Sequence, residues 1–313
     1  MNRRQTIPAH LRYTRQQFDR EFPSDDVCLE TLKEQRWPGG VARCEKCNAD
    51  HKHYRVKGRT AYACDHCGNH IYPLAGTIFQ KSTTPLRVWF QAMYLMGSTR
   101  CGISAKQIQR ETGVTYKTAW RMFKQIRMLL SEDLQVEGST VEMDEVYIGG
   151  RPRGKRGGPK WLEPSKKAVV AGVVARKGKV IARVVPDATK KTLQDFAYEF
   201  ILPKSTVFTD EHKSYADLDK TYAHHRINHS QGVYVRGNVH TQTIEGFWSL
   251  VQNGIRGVYH SVSKKYLQSY LNEYAFRYNH RDCGNLIFPL LVQRASQPAL
   301  LLPSEPTSQT QRV

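Results

Sequence analysis

No apolar run in this chain is long enough to cross a bilayer as a helix. The longest, Ala168–Ala175, has eight residues, against the roughly 20 that a span requires. The opening residues, Met1-Asn2-Arg3-Arg4-Gln5-Thr6, carry no apolar segment, so a secretory signal is not expected. Acid is scarce: 28 Asp and Glu stand against 47 Lys and Arg, a formal net charge of +19. That imbalance calls for a polyanionic partner, nucleic acid first. The basic residues are spread over several motifs rather than along one amphipathic helix, which argues against a membrane surface. Cysteine is sparse and odd in number, seven in all. A disulfide-stapled secreted scaffold is therefore excluded, and a reducing, cytoplasmic, nucleoid-associated setting is expected. What remains is a globular composition, 40% hydrophobic over 313 residues, enough for two or three domains with real cores. No internal repeat interrupts it.

Four of the cysteines fall into two knuckles, Cys44-x-x-Cys47 and Cys64-x-x-Cys67, with sixteen residues between them. Each knuckle offers two sulfurs from one tight turn, and the intervening stretch is long enough for a hairpin. This is the spacing of a ribbon that holds one structural Zn²⁺. Cys28, Cys101 and Cys283 are left over. The ribbon is expected over residues 36–80, after a basic and aromatic segment at 1–35. There Phe18, Phe22, Cys28, Leu29 and Leu32 suit a short helical lead-in. Tyr54-Arg55-Val56 and Tyr62-Ala63-Cys64 read as strands. His51, His53, His66 and His70 lie nearby and are read as surface residues or DNA contacts.

Residues 85–132 form a second region. Pro85 to Gly97 reads as a helix, with proline in its first turn and glycine at its end. Two further helices follow with a sharp break: Ser104 caps the first, Gly113 makes the turn, and Thr115 caps the second. Ile108, Val114, Ala119, Trp120 and Phe123 supply the packing positions. This is a helix-turn-helix pattern. Lys106, Arg110, Lys117, Arg121, Lys124 and Arg127 stand against Glu111 alone, as a helix lying in a major groove needs. An ordinary helical hairpin is the alternative.

From residue 138 to 290 the periodicity changes. Thr140–Ile148 alternates as a strand does, and Lys167–Ala175 and Lys179–Val185 flank a hairpin turn at Arg176-Lys177-Gly178. Thr189–Ile201 has a helical period. Ser205–Asp210 reads as a fourth strand and Ala223–Asn228 as a weaker fifth. Helices follow from Gln242 and over Lys264–Asn279. Three antiparallel strands followed by crossovers to two parallel ones match an RNase H-like domain. The chain is thus read as a multidomain α+β / α/β protein: zinc ribbon, helix-turn-helix, then an RNase H-like mixed-sheet catalytic domain. Between the first two strands lies a glycine-rich basic stretch with Arg151, Arg153, Lys155 and Arg156. Its two readings are a clamp on DNA phosphates and a solvated insertion. Residues 291–313 are expected to be a disordered tail.

Three acids sit where such a domain would gather a metal site. Asp144 lies within an otherwise apolar strand, where an unpartnered carboxylate is costly to bury. Asp210 ends the fourth strand. Glu245 lies on a helix whose apolar stripe is Ile244, Phe247, Trp248, Val251 and Ile255, with Ser249, Gln252 and Arg256 on Glu245's own face. Three carboxylates do not cluster as anions without a counter-charge. Hard divalent ions, Mg²⁺ or Mn²⁺, take oxygen ligands and keep open positions for water and phosphate. Two such ions about 4 Å apart serve an in-line phosphoryl displacement. Glu142, Glu145 and Glu211 compete for the same assignment.

These residues carry a family resemblance. The knuckle cysteines, Met143–Gly150, Thr209-Asp210-Glu211, Val239–Ser249, Gly254–His260 and Tyr278–Arg281 together resemble an insertion-sequence transposase of the DDE superfamily, in the class with an N-terminal zinc ribbon. The likeness runs from about residue 25 to 290. It implies that Asp144, Asp210 and Glu245 are the catalytic, metal-binding triad. It also implies metal-dependent 3′-end cleavage and strand transfer on double-stranded DNA, at element ends and target. A homo-oligomer on DNA is implied, and a covalent protein–DNA intermediate is not. DNA contacts are expected from Lys106, Lys117, Arg121, Lys124, the basic loop, Gln252 and Arg256. The class often carries a lysine seven residues after the glutamate, where Gln252 stands here, and an asparagine where Gln242 stands. His229, His240 and His260 are expected near the site. Two alternatives stand beside this reading: a DNA-binding regulator with an inert RNase H-like domain, and a non-transposing nuclease of the same fold.

Overall fold

The computed structural model describes residues 8, 12–99, 101–138, 140–149, 167–227, 240–284 and 286–298. They form two compact units. One takes the chain up to Leu130 together with the part after Arg281; the other is Ser131–Arg281.

The first unit opens with two short helices, α1 (Arg15–Glu21) and α2 (Asp25–Arg36). Local chemistry starts both. Thr14 accepts from the Gln17 amide in a capping box, and Ser24 accepts from the Val27 amide, satisfying amides that a helix start leaves without partners. A four-stranded antiparallel sheet follows in the order β1 (Val41–Cys44), β2 (Ala49–Arg55), β3 (Tyr62–Cys64), β4 (His70–Ile71). Helices α3 (Leu86–Ser98), α4 (Ala105–Thr112) and α5 (Tyr116–Met128) complete the run. The capping expected at α4 and α5 is present: Ser104 accepts from the Gln107 amide, Thr115 from the Thr118 amide, and Gly113 turns the chain at φ 72°.

The tail expected from residue 291 does not begin there: Ile287–Ser296 forms a helix (α9, as numbered below) that belongs to this first unit, and residues 299–313 lie outside the described residues. Its Phe288 ring lies 5.6 Å from Phe18 and 5.7 Å from Phe22, in an aromatic cluster with Phe90 and Tyr94. Burial of those rings outweighs the polar composition further along the chain. At Gly97 a Cβ would stand 3.0 Å from the Phe288 amide nitrogen, so α3 approaches this helix closely only because it carries no side chain there.

The second unit is a five-stranded sheet in the order β7-β6-β5-β8-β9: β5 (Thr140–Ile148), β6 (Ala168–Ala175), β7 (Val180–Val185), β8 (Thr206–Thr209) and β9 (Ala223–Arg226). The first three strands pair antiparallel; β8 and β9 join parallel. Helices α6 (Lys190–Phe200), α7 (Gln242–Gly254) and α8 (Lys264–Asn279) accompany it, and α9 follows in the chain. The pleat of β5 divides the two faces. Val141 and Met143 enter a core with Leu193, Phe196 and Phe200 of α6. On the opposite face, Val170, Val174 and Ala182 pack with Ile244, Phe247, Trp248 and Val251 of α7 and with Leu267 and Leu271 of α8. The even-numbered acids of β5, Glu142 and Asp144, therefore point towards α7. The three antiparallel strands and the two that join parallel follow the sequence reading.

Candidate active site and metal centre

In the first unit the sulfurs of Cys44, Cys47, Cys64 and Cys67 all lie within 4.8 Å of one another. The Cys44–Cys67 and Cys47–Cys64 separations are 3.5 and 4.0 Å. Four sulfurs about 2.3 Å from a central ion in a tetrahedron stand about 3.8 Å apart, so this thiol set fits Zn²⁺. The amide of Cys47 helps to hold the Cys44 thiol down to about 6, which makes it a thiolate, the metal-binding form, at neutral pH. His51 stacks on His66 and lies 3.3 Å from Asp65. His53 is a correction to the surface reading: it is 4% exposed and its Nδ1 lies 2.9 Å from the His51 carbonyl.

On the helix-turn-helix, Lys106, Arg110, Lys117, Arg121 and Lys124 are exposed. Arg127 is not: it is 2% exposed, with its guanidinium 3.7 Å from the Phe123 ring centre. A long basic side chain buries its stem readily, and counting charge along the helix did not distinguish the inward face. Tyr116, exposed at the start of α5, carries Lys106 over its ring at 4.5 Å. Arg151, Arg153, Lys155 and Arg156 lie outside the described residues, as does His229.

In the second unit the parallel register sets Val141 beside Val207 and Glu142 beside Phe208. Continuing that register two residues takes Asp144, within β5, level with Asp210, which directly follows the end of β8. Trp248 Nε1 donates to Asp144 Oδ2 at 3.1 Å. Its indole fits there because Asp144 pairs across the sheet with Gly172, where a Cβ would stand 2.5 Å from the Trp248 ring. Burial, reinforced by the negative charges of Glu145 and Asp210, pushes the Asp144 carboxyl up to about 7. Asp210 Oδ1 accepts from the His212 amide at 3.0 Å. Glu245 is exposed on the first turn of α7, and its Oε1 accepts from Thr241 Oγ1 at 2.8 Å.

The three carboxylates do not all lie within 4.8 Å of one another. Like charges with no cation between them favour such separation. A carboxylate within one strand beside another just past the end of its neighbour, the first held back from ionising by its surroundings, is an oxygen donor set suited to a hard divalent cation. Gln252 is half-buried. Arg256 is exposed but lies in a π-helical turn, Ile255–Tyr259, that follows α7. The α-helical spacing that put it on Glu245's face ends at Gly254.

The competing acids have other company. Glu145 lies on the α6 side of β5, where the buried Tyr215 donates a short hydrogen bond to it, and burial raises its pKa. Glu142 is fully buried and accepts from the Thr243 and Ile244 amides of α7 and from Arg176. Sequence reasoning placed Trp248 only in an apolar stripe and Arg176 only in a turn. The one available signal for either was the i, i+2 relation of Glu142 and Asp144.

Residues 135–279 match the ISXO2-like transposase domain, and residues 23–70 match the transposase zinc-ribbon domain. An uncharacterized protein in transposable element ISH50 of Halobacterium salinarum is 30% identical over 275 residues, covering 82% of this chain and 91% of its own length. An uncharacterized transposase-like protein of Haemophilus influenzae is 31% identical over 112 residues, 36% of this chain and 89% of its own.

Proposed function

Because the chain belongs to the family of ISXO2-like transposases, with the transposase zinc ribbon on its N-terminal side, we propose that it cuts DNA at the ends of a mobile element and joins each freed 3′-hydroxyl to target DNA. The observation that carries this reading is the nearness of Asp144, within β5, to Asp210, just past the end of the parallel strand β8, beside the helix that bears Glu245. Those three carboxylates would hold two Mg²⁺ or Mn²⁺ ions. Bound there, such ions supply activation of the attacking oxygen and stabilisation of the leaving one.

The protein's own groups have separate tasks. Trp248 orients Asp144 by its indole N–H. The His212 amide orients Asp210, and Thr241 orients Glu245. The exposed lysines and arginines of α4 and α5 neutralise phosphates, while side chains at the start of α5 read base edges of the terminal repeat. Bringing two element ends together requires more than one copy of the chain on the DNA.

The test uses the DNA that flanks the element. Wild type with Mg²⁺ or Mn²⁺ should leave 3′-hydroxyl nicks at the boundaries of an inverted repeat, and Asp144→Asn should reduce them to background. Equal, tight binding of that DNA by both proteins with no nicks from either would instead support a DNA-binding regulator with an inert catalytic fold.

A further inference from the structure

Among the described residues, five helices begin in the same way. At α1, α2, α4, α5 and α6 a Ser or Thr in extended backbone accepts a hydrogen bond from the amide three residues on. Helix α7, which carries Glu245, begins differently. Its first flanking residue, Thr241, has φ −113° and ψ 19°, outside the extended region, and its side chain caps no amide. Its hydroxyl instead donates to Glu245 Oε1 at 2.8 Å. The amides that a local cap would satisfy are met from β5, a hundred residues away in sequence. Glu142 Oε2 accepts from the Thr243 amide at 2.7 Å and the Ile244 amide at 3.0 Å.

The other oxygen of Glu142 completes the arrangement. Oε1 accepts from Thr243 Oγ1 at 2.8 Å and from Arg176 Nε at 2.7 Å. Arg176 Nη2 in turn donates to the His240 carbonyl at 2.8 Å, so the chain entering α7 is tied to the same point. His240 Nδ1 lies 3.4 Å from Glu142 Oε1. Glu142 itself is 0% exposed and stands two residues before Asp144 on the same face of the same strand. A carboxylate in that position also matches the positive end of the α7 dipole.

We propose that Glu142 is a positioning residue: a helix cap supplied from β5 that sets the first turn of α7, and with it Glu245, against Asp144, leaving Thr241 to orient Glu245. It acts through α7 and is not itself a metal ligand. This inference rests on the reading of Asp144, Asp210 and Glu245 as the divalent-metal site, and its test separates the two.

The test measures Mn²⁺ binding by calorimetry on the full chain with its zinc retained, alongside hydrogen exchange over residues 240–248. A glutamine at 142 has one acceptor oxygen where the carboxylate has two, so Glu142→Gln cannot serve both the α7 amides and Arg176. Groups that support metal ligands from behind change affinity by roughly 10- to 100-fold when removed. Glu142→Gln should therefore weaken Mn²⁺ by at least about tenfold and speed exchange at Thr243 and Ile244. Thr241→Val should weaken Mn²⁺ while leaving that exchange unchanged, because the cap remains. Glu142→Asp keeps the charge beside Arg176 and serves if the glutamine variant does not fold; it should show the same pair of changes in smaller measure. Wild-type Mn²⁺ affinity in folded Glu142 variants, or unaltered exchange at Thr243 and Ile244, would overturn the proposal. Mn²⁺ binding that survives Asp144→Asn would overturn the metal-site reading itself, and with it the positioning role.

Discussion

Asp144 is held near its limit as an anion. Burial first, then the neighbouring charges of Glu145 and Asp210, raise its carboxyl to about 7 from the usual 3.8, against the opposing hydrogen bond from Trp248. A carboxyl whose folded pKa exceeds its unfolded value binds its proton more tightly when folded. Its contribution to stability is fully present below the unfolded value and is lost as pH rises through about 7. Without divalent metal, this residue thus makes the second unit less stable at pH 8 than at pH 5. Asn at this position retains the shape and carries no charge. Calorimetry without added Mg²⁺ should find Asp144→Asn melting higher than wild type at pH 8, with the difference shrinking towards pH 4. Equal melting at pH 8 would mean that Asp144 ionises there freely. As the metal ligand proposed above, Asp144 would exchange stability for activity, and the cation that relieves it would be the one the site uses.

At the level of elements, the packing of α7 on β5 and β6 decides the geometry. Trp248 lies over Gly172 because no side chain stands there, and that placement lets its N–H reach Asp144. A methyl group at Gly172 would meet the ring at 2.5 Å, with strand backbone behind it and little room to yield. Gly172→Ala should cost about 1–3 kcal/mol of stability, measured by urea unfolding, and should lower DNA cleavage by more than it lowers DNA binding. A variant with wild-type unfolding and cleavage would show that α7 has slack at this contact. The same elements mark the limits of the sequence. The starts of α4 and α5 were legible because their caps are local, a Ser or Thr with its amide three residues on, and that of α6 from its helical period. The strands were legible from alternation, and their order from the pattern of crossovers. The start of α7 was read at Gln242, where it lies, but the source of its cap was not, because that cap comes from Glu142 and depends on a sheet register that no local pattern contains. Arg127 failed for a related reason: charge is visible in sequence, whereas the face of the helix that carries it inward depends on what packs there.

At the level of the whole molecule, two units stand on different physics. The second has a sheet with an apolar core on each face, enough burial to fold without metal. The first contains a ribbon of short strands, one of only two residues and one of three. Tyr62 and His53 apart, the buried side chains of its strands are those of Ala42 and the knuckle cysteines Cys44 and Cys64, so little apolar surface is buried there. A sheet of such short strands with so small an apolar face is not stable alone in water, and the free energy of metal binding is then the folding free energy of the ribbon. Its legibility in sequence has the same origin: metal ligands must sit at fixed spacing, whereas core residues need only be apolar and of suitable size. Removing Zn²⁺ with a chelator should unfold residues 36–75 and weaken binding to element ends, while Ser131–Arg281 keeps its cooperative melting. Cys64→Ser should do the same without a chelator. Circular dichroism and hydrogen exchange follow the fold, and titration with labelled terminal DNA follows the binding. Unchanged end binding after Cys64→Ser would separate the ribbon from DNA recognition and leave that role to α4 and α5. Loss of the second unit's melting along with the ribbon's would show that the two units fold as one.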